Sequence, residues 1–538
     1  MKAKRTEMSI WQTIKELGKH LKEEVTMDNK YYWYQLLSCV IVTCTIIGSF
    51  FVTKLAYVAT GLLFLGIITN SFINNKTLFS LSFLIFFLPF SNVITVPNLS
   101  ISMYSLAVTL FVACSGIKWI IQIFRKEKKL EWKIFIPFGL LITYLGLLFI
   151  FKFYSLTFLF SAVIGVMLLF IIAINRKEIS FKEVGFSLVL GLLISCLIGL
   201  FYEHFPNLTN FYNITYALGN FRYSALFPNT NAFSFCVLFT LGCVGTLYIS
   251  RKINILYFPI ALLLLVISFA TISKMVILMV VVIVPLTWLL KILYCKTLKE
   301  RVIVSVAIIL MFSLSVVIRY NDFKTMIDRL EVSSPAVEQP VVDQPVGDQP
   351  VLDQPALESP GDEAIKDDTT PTLPENSDQE NASDVSKNEN QEQIESNGQG
   401  QEEKIDQFLT GRLGLWKNSL KSIFENPTSM LFGHRLGSDY NIGDGNYQLG
   451  SPHNTYLQCV YHVGIIGFGL ICMSLLSLVD IKSLKNFAKS GILLVVVIVL
   501  MFGTLDNFSY MGFMYLSMVV LSLTGQQIKD HGEEKNDT

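Results

Sequence analysis

Apolar residues come along this chain in runs of roughly 17 to 25, the length that carries an α-helix across a hydrocarbon core of ~30 Å. The runs lie at 34–52, 55–73, 78–95, 101–124, 134–151, 154–174, 184–202, 231–249, 255–271, 275–293, 302–318, 455–479, 490–505 and 508–525. Short polar connections separate them, apart from one long polar stretch over 319–454. The pattern predicts an all-α, polytopic helical membrane protein with about 12–14 transmembrane helices and a single long loop. The runs at 78–95 and 490–505 are short for a full crossing and suit re-entrant segments.

Basic residues set the expected orientation. Lys2, Lys4, Arg5, Lys15, Lys19 and Lys22 precede the first run, and further clusters lie at 125–133, 176–182, 251–252, 296–301 and 482–489. All fall in alternate connections on one side, which the positive-inside rule makes cytoplasmic. Both termini are then expected inside and the long loop outside. Ile10, Trp11, Ile14, Leu17, Leu21 and Val25 recur at helical spacing opposite lysines, as in a helix lying on the inner leaflet or awaiting a partner. The first apolar run has span length and no cleavage pattern, so no cleavable signal peptide is expected. The chain divides into a cytoplasmic amphipathic segment at 1–30, about eleven helices at 31–319, an external tether at 320–403, a folded external loop at 404–454, about three helices at 455–525 and a cytoplasmic tail at 526–538.

Composition agrees. Of 538 residues, 52% are hydrophobic and 16% charged, whereas a soluble domain carries about a quarter charged residues. The 42 basic and 42 acidic residues balance, and no nucleic-acid partner is expected. All nine cysteines sit in or beside the apolar runs, which leaves no external disulfide framework. No Cys and His spacing suits zinc, so neither metal nor cofactor is expected.

The long loop has two unlike halves. From Ser333 to about Gln401 it is rich in Pro, Asp, Glu, Gln, Asn and Ser and opens with a five-residue repeat, V-D-Q-P-V and its variants. Such a stretch has too little apolar surface to build a core and reads as an extended tether. From Lys404 the chain turns apolar and basic. Phe408, Leu409, Leu413, Trp416, Leu420, Ile423 and Phe424 recur at steps of three and four, which predicts a helix over 406–425 stopped by Asn426-Pro427. Gly433, Gly437, Gly443, Gly445 and Gly450 suit a flexible loop. Ser451 as N-cap with Pro452 at the first helical position would begin the next helix and place His453 and Asn454 in its first turn.

This loop and the start of that helix hold the candidate chemistry. Guanidiniums such as Arg412 and Arg435 bind phosphate oxygens, and the imidazole of His453 can take up a proton near neutral pH. A helix N-terminus favours the neutral imidazole, the form that accepts one. Each has a plainer alternative: Arg412 could pair with Asp406 or Glu425, Arg435 could be a loop charge, and His453 could merely fill a surface position. Arg222 and Lys274 are further cations on the same side, open to reading as interface anchors.

Residues 410–469 resemble the signature region of the O-antigen polymerase and O-antigen ligase superfamily of integral membrane glycosyltransferases. The matching pieces are G-R-x3-W at Gly411, Arg412 and Trp416, G-x-R-x-G from Gly433 to Gly437, and H-N-x-Y-L-Q from His453 to Gln458. Upstream, N-F-R-Y-S-A-L-F-P-N-T-N-A from Asn220 to Ala232 is similar to the family's R-x-x-G-x-F-x-x-P-N-x-x-A, and A-T-I-S-K from Ala270 to Lys274 resembles its T-x-S-R. Ala225 stands where the family usually has Gly, and Lys274 where it usually has Arg; a lysine keeps the charge but loses the bidentate fork. The resemblance implies transfer of a glycan from a polyprenyl diphosphate to an acceptor hydroxyl on the outer face of a bacterial plasma membrane. No nucleotide or metal is needed. Arg222, Arg412 and His453 would then be catalytic, with Lys274, Arg435, Asn454 and Trp416 binding substrate. The implied partners are a polyprenyl-diphosphate-linked oligosaccharide, membrane lipid, and a flippase and chain-length regulator of the same pathway. A polymerase is the first expectation and a ligase to a lipid, protein or wall acceptor the second. A flippase is the rival from another class, although it should carry charges deep in its spans, and these spans are almost bare of them.

Overall fold

The computed structural model describes residues 29–73, 77–91, 95–96, 101–151, 156–176, 179, 181–201, 216–217, 220–221, 223–227, 230–250, 256–331, 412–434, 454–478 and 492–505. All of them belong to one compact unit made of Met1–Glu331 and Gly411–Thr538; residues 332–410 form the second unit and lie outside the described residues. So do the amphipathic segment at 8–25, the run at 508–525, and the boundaries proposed at 403 and 526.

The described chain is almost entirely helical. Its helices are α1 (Asn29–Ser49), α2 (Leu55–Ile68), α3 (Thr77–Phe87), α4 (Met103–Phe124), α5 (Trp132–Ile150), α6 (Leu156–Ile174) and α7 (Phe181–Leu200). There follow α8 (Thr230–Ile249), α9 (Tyr257–Phe269), α10 (Lys274–Tyr294), α11 (Leu298–Ile318), α12 (Tyr320–Glu331), α13 (Arg412–Phe424), α14 (Pro427–Phe432), α15 (Thr455–Leu476) and α16 (Ile492–Leu505). Two antiparallel pairs of two-residue strands, β1 (Thr95–Val96) with β2 (Ile101–Ser102) and β3 (Tyr216–Ala217) with β4 (Asn220–Phe221), are the exceptions. Among the described residues eight helices are long and apolar enough to cross a membrane, and Leu36–Ser49, Phe79–Phe90, Leu159–Ile174 and Tyr257–Phe269 are shorter apolar helices. The protein is therefore a multi-pass helical membrane protein.

Burial separates the roles of these helices. A helix that is apolar all round suits either a bundle centre or a lipid-facing wall. In α8, 94% of the apolar window is buried, against 17% in α11, so α8 is central and α11 lies at the periphery. Gly242 and Gly245 of α8 let Ile498 and Leu494 of α16 pack against its backbone, the close approach that small residues permit between membrane helices. The short run at 78–95 becomes α3 and a 3₁₀ turn at Leu88–Phe90, and every residue from 79 to 91 is buried. About fourteen residues at 1.5 Å per residue reach only ~21 Å, short of a hydrocarbon core.

One expectation is overturned here. The tether does not begin at 320, because Tyr320–Glu331 is the helix α12. Phe323 and Met326 form an apolar face within its polar sequence; Met326 is fully buried in the main core, and the Phe323 ring stands 5.4 Å from Phe269.

Candidate functional site

Helix directions bring several expected site segments to one end of the bundle. Because Gly242 faces Ile498 and Gly245 faces Leu494, α8 and α16 run antiparallel, so the Thr230 end of α8 lies with the Leu505 end of α16. The Tyr456 hydroxyl donates to Leu500 O at 3.2 Å, which puts the start of α15 there too. The start of α10 joins them: the Ser273 hydroxyl is 3.1 Å from Asn231 Oδ1, and the Ser234 hydroxyl donates to Thr271 Oγ1 at 2.9 Å. Ser273 occupies the N-cap position of α10, yet its hydroxyl makes this cross-link instead of capping the helix.

Residues 223–227 close over the same turn. Tyr223 N–H donates to Ala270 O at 3.0 Å, and its hydroxyl donates to Cys196 O. Two side-chain-bearing residues adopt left-handed backbone here, Ala225 with φ 47° and Ile272 with φ 48°. That conformation is costly for any residue with a Cβ and most of all for a β-branched one. It gives a physical reason for a preference for glycine at position 225. The two upstream motif pieces, 220–232 and 270–274, are thus one hydrogen-bonded assembly with half-buried Lys274 at its edge.

The signature region makes a second assembly. The Asn426 side chain caps α14, accepting from Ser429 N–H at 2.7 Å, with Pro427 in the first turn. Gly433 then turns with φ 84° against Gly464, whose φ of 68° breaks α15 within its length. A Cβ on Gly433 would run into His462 O, and one on Gly464 into Leu431 O, so only glycine fits at either place. The break frees carbonyls in the preceding turn, and each described donor comes from elsewhere in the fold. His434 N–H donates to Tyr461 O at 2.7 Å, and the Tyr144 hydroxyl of α5 donates to Val463 O at 2.7 Å with Leu431 O 3.5 Å away. The His434 ring stacks on Tyr461 at 4.3 Å between centroids, and its Nε2 lies 3.0 Å from Ser422 O. A carbonyl only accepts, so that nitrogen carries the proton.

Helix α13 rests on α15 through Ile423, which is fully buried against Tyr461. Arg412, Trp416, Ser419 and Ile423 follow one another at helical spacing on a single face, and Ser419 is buried with Ile423. Arg412 and Trp416 therefore belong to the face turned to the bundle, both half-buried. Arg412 and Glu425 stand at opposite ends of the helix, ~19 Å apart by helical rise, which removes that pairing.

One local expectation needs correction. Helix α15 starts at Thr455, and its N-cap is Asn454, whose Oδ1 accepts from Tyr456 N–H and Leu457 N–H at 3.0 Å each. Ser451 is not the cap, and His453 and Asn454 are not in the first helical turn. A carboxamide that satisfies two otherwise orphaned amides is the stronger start signal. Asn454 is buried and its carbonyl oxygen is committed to this cap. Arg222, Arg435 and His453 lie outside the described residues, although each adjoins one that is placed: Tyr223, His434 and Asn454. Sequence reasoning passed over Tyr144, Gly464 and Arg319. Gly464 carried the one available signal, a glycine inside an apolar run. All nine cysteines are free thiols, and no cluster of metal-ligating side chains occurs among the described residues.

No curated protein and no solved structure matches the chain. Residues 259–472 match the family model described as O-antigen ligase. The match runs from Pro259 in α9 to Cys472 in α15, taking in the Lys274 turn, α13 and the Gly433–Gly464 junction. Over these residues the chain matches an O-antigen ligase domain, which is consistent with the O-antigen polymerase and ligase superfamily.

Proposed function

We propose that the protein polymerises a surface polysaccharide on the outer face of a bacterial plasma membrane, moving a glycan from a polyprenyl diphosphate to the hydroxyl of another lipid-linked repeat unit. The observation that carries this reading is the meeting, at one end of the bundle, of the 223–231 segment, the 270–274 turn and the Asn454 cap of α15. Cations and a base carried on adjoining residues suit such a substrate. The diphosphate leaves with growing negative charge, which Arg222, Arg412, Lys274 and Arg435 would stabilise. His453 would take the proton of the acceptor hydroxyl, while Trp416 offers a flat apolar surface to a sugar and Asn454 its remaining amide donor. The donor is already activated, so neither nucleotide nor metal is required. With the basic clusters inside, both termini are cytoplasmic and the 332–410 segment is external; a flippase and a chain-length regulator would act beside it.

The description of the matched domain as a ligase favours a second reading, in which the acceptor is a finished lipid, protein or wall component. Purified protein in liposomes with synthetic polyprenyl diphosphate oligosaccharide separates the outcomes. Polymerase action lengthens the lipid-linked glycan without nucleotide or metal. A ligase leaves the donor unextended until a foreign acceptor is added. Translocation of unaltered substrate would sink both in favour of a transporter. His453→Ala should lower turnover by about 10² to 10⁴, and Arg412→Lys should rescue Arg412→Ala poorly.

A further inference from the structure

Arg319 stands where α11 ends and α12 begins, and the fold carries it to the assembly just described. Its backbone closes α11 on Ser315 O and accepts from Phe323 N–H at 2.9 Å to start α12. Helix α12 is seated over the α9–α10 turn by Met326, which is fully buried, and by Phe323 against Phe269. Phe269 immediately precedes Ala270, whose carbonyl holds Tyr223, and α12 also touches α10, the helix that Lys274 opens. Burial pushes the Tyr223 hydroxyl well up from its ordinary range, Cys196 adds to this, and the Arg319 charge pulls the other way. Its guanidinium is 3.2 Å from the Asp322 carboxylate, with 40% of the arginine side chain and 25% of the aspartate exposed.

From this juxtaposition we infer that Arg319 is a further substrate-binding residue of the site, contacting a diphosphate oxygen of the lipid-linked donor, and that Asp322 is the counter-ion it leaves when the donor arrives. The inference rests on the functional reading above. A docked helix with a buried anchor holds the guanidinium at a fixed place, partly open to solvent, beside the residues that flank Arg222 and Lys274. A diphosphate carries more charge than one carboxylate and accepts in the same forked geometry. Burial already pushes the Asp322 carboxyl above the usual carboxylate range, with Arg319 pulling the other way. The resting pair is therefore a partner the arginine can exchange.

The two members of the pair should act in opposite directions. Full-length protein in nanodiscs of neutral lipid is titrated with polyprenyl diphosphate bearing no sugar, so that binding is read apart from catalysis. Arg319→Ala should weaken binding about tenfold, the loss of one charge-assisted hydrogen bond; Arg319→Lys should fall between, and Asp322→Asn should tighten it. Polyprenyl monophosphate should show a smaller dependence on Arg319. Thermal midpoints of the variants guard against misfolding, and Arg319→Lys keeps the test open if the alanine variant fails to fold. Unchanged binding in Arg319→Ala, or equal weakening by Arg319→Ala and Asp322→Asn, would overturn the assignment and leave the pair a helix-junction clasp. A dependence on Arg319 that appears only in discs containing anionic lipid would overturn it in favour of a headgroup phosphate. Tight diphosphate binding without glycan transfer by the wild-type protein would refute the proposed activity while leaving Arg319's contact standing.

Discussion

Ala225 and Ile272 each hold left-handed backbone without being glycine, Ala225 in the 223–227 segment and Ile272 in the turn that leads into Lys274. Such residues cost on the order of 1–3 kcal/mol each and persist where their surroundings over-determine them. Here the surroundings are identifiable: Tyr223 N–H on Ala270 O, Ser273 on Asn231, Ser234 on Thr271, and the bare Cα of Gly199 against Ala225. Ala225→Gly should then leave the thermal midpoint level or raise it slightly, because the gain in backbone freedom is offset by a looser unfolded chain. Ala225→Val should cost about 2 kcal/mol or more, since a β-branched residue tolerates positive φ worst. A melt of the purified protein that ranked valine above glycine would refute the strain argument.

Between α5 and α15 the decisive contact is one hydroxyl. Tyr144 donates to Val463 O beside the Gly464 break, and that carbonyl has lost its helical donor. Tyr144→Phe keeps the ring and the packing but strips the carbonyl of this donor, an expected loss of about 1–3 kcal/mol. It should also lower glycan transfer, because Arg435 follows His434, which is tied to the same turn. Transfer unchanged in Tyr144→Phe would show that the junction does not position the site.

The helices themselves were legible. Apolar runs of span length mark every described span, and Asn426-Pro427 marked both the end of α13 and, unrecognised, the cap of α14. The break in α15 was not legible, because a glycine in an apolar run is compatible with a straight helix until Gly433 is seen against it. Likewise α12 hid beside a polar tether: its apolar residues are few, and only the partner surface at Phe269 makes them a face. Of the candidate site, residue types and their order could be read in advance, whereas the pairing of the 223–231 segment with the 270–274 turn is tertiary and has no local signal.

For the whole molecule, basic connections alternate with connections that carry few basic residues, and that asymmetry predicts what a protease should meet. Added outside spheroplasts, it should cut within 333–401 and spare both termini. Cleavage at the termini with an intact loop would invert the proposed orientation. Deleting residues 335–397 should leave much of the transfer activity, because loop-closure entropy changes slowly with length. Loss of glycan from a well-inserted deletion protein would show that the segment does more than tether.

Tyr144 and Val463 are 319 residues apart in the chain, and that distance is also an interval in time. The ribosome finishes α5 long before it reaches α15, so the junction closes only after α15 is inserted. An unfinished chain would hold the 223–274 half of the site without the signature half, and it should be inert toward lipid-linked sugar. The same order implies that the protein can be made as two pieces. Residues 1–370 and 371–538, expressed together, should find each other in the membrane and restore transfer, while neither piece restores it alone.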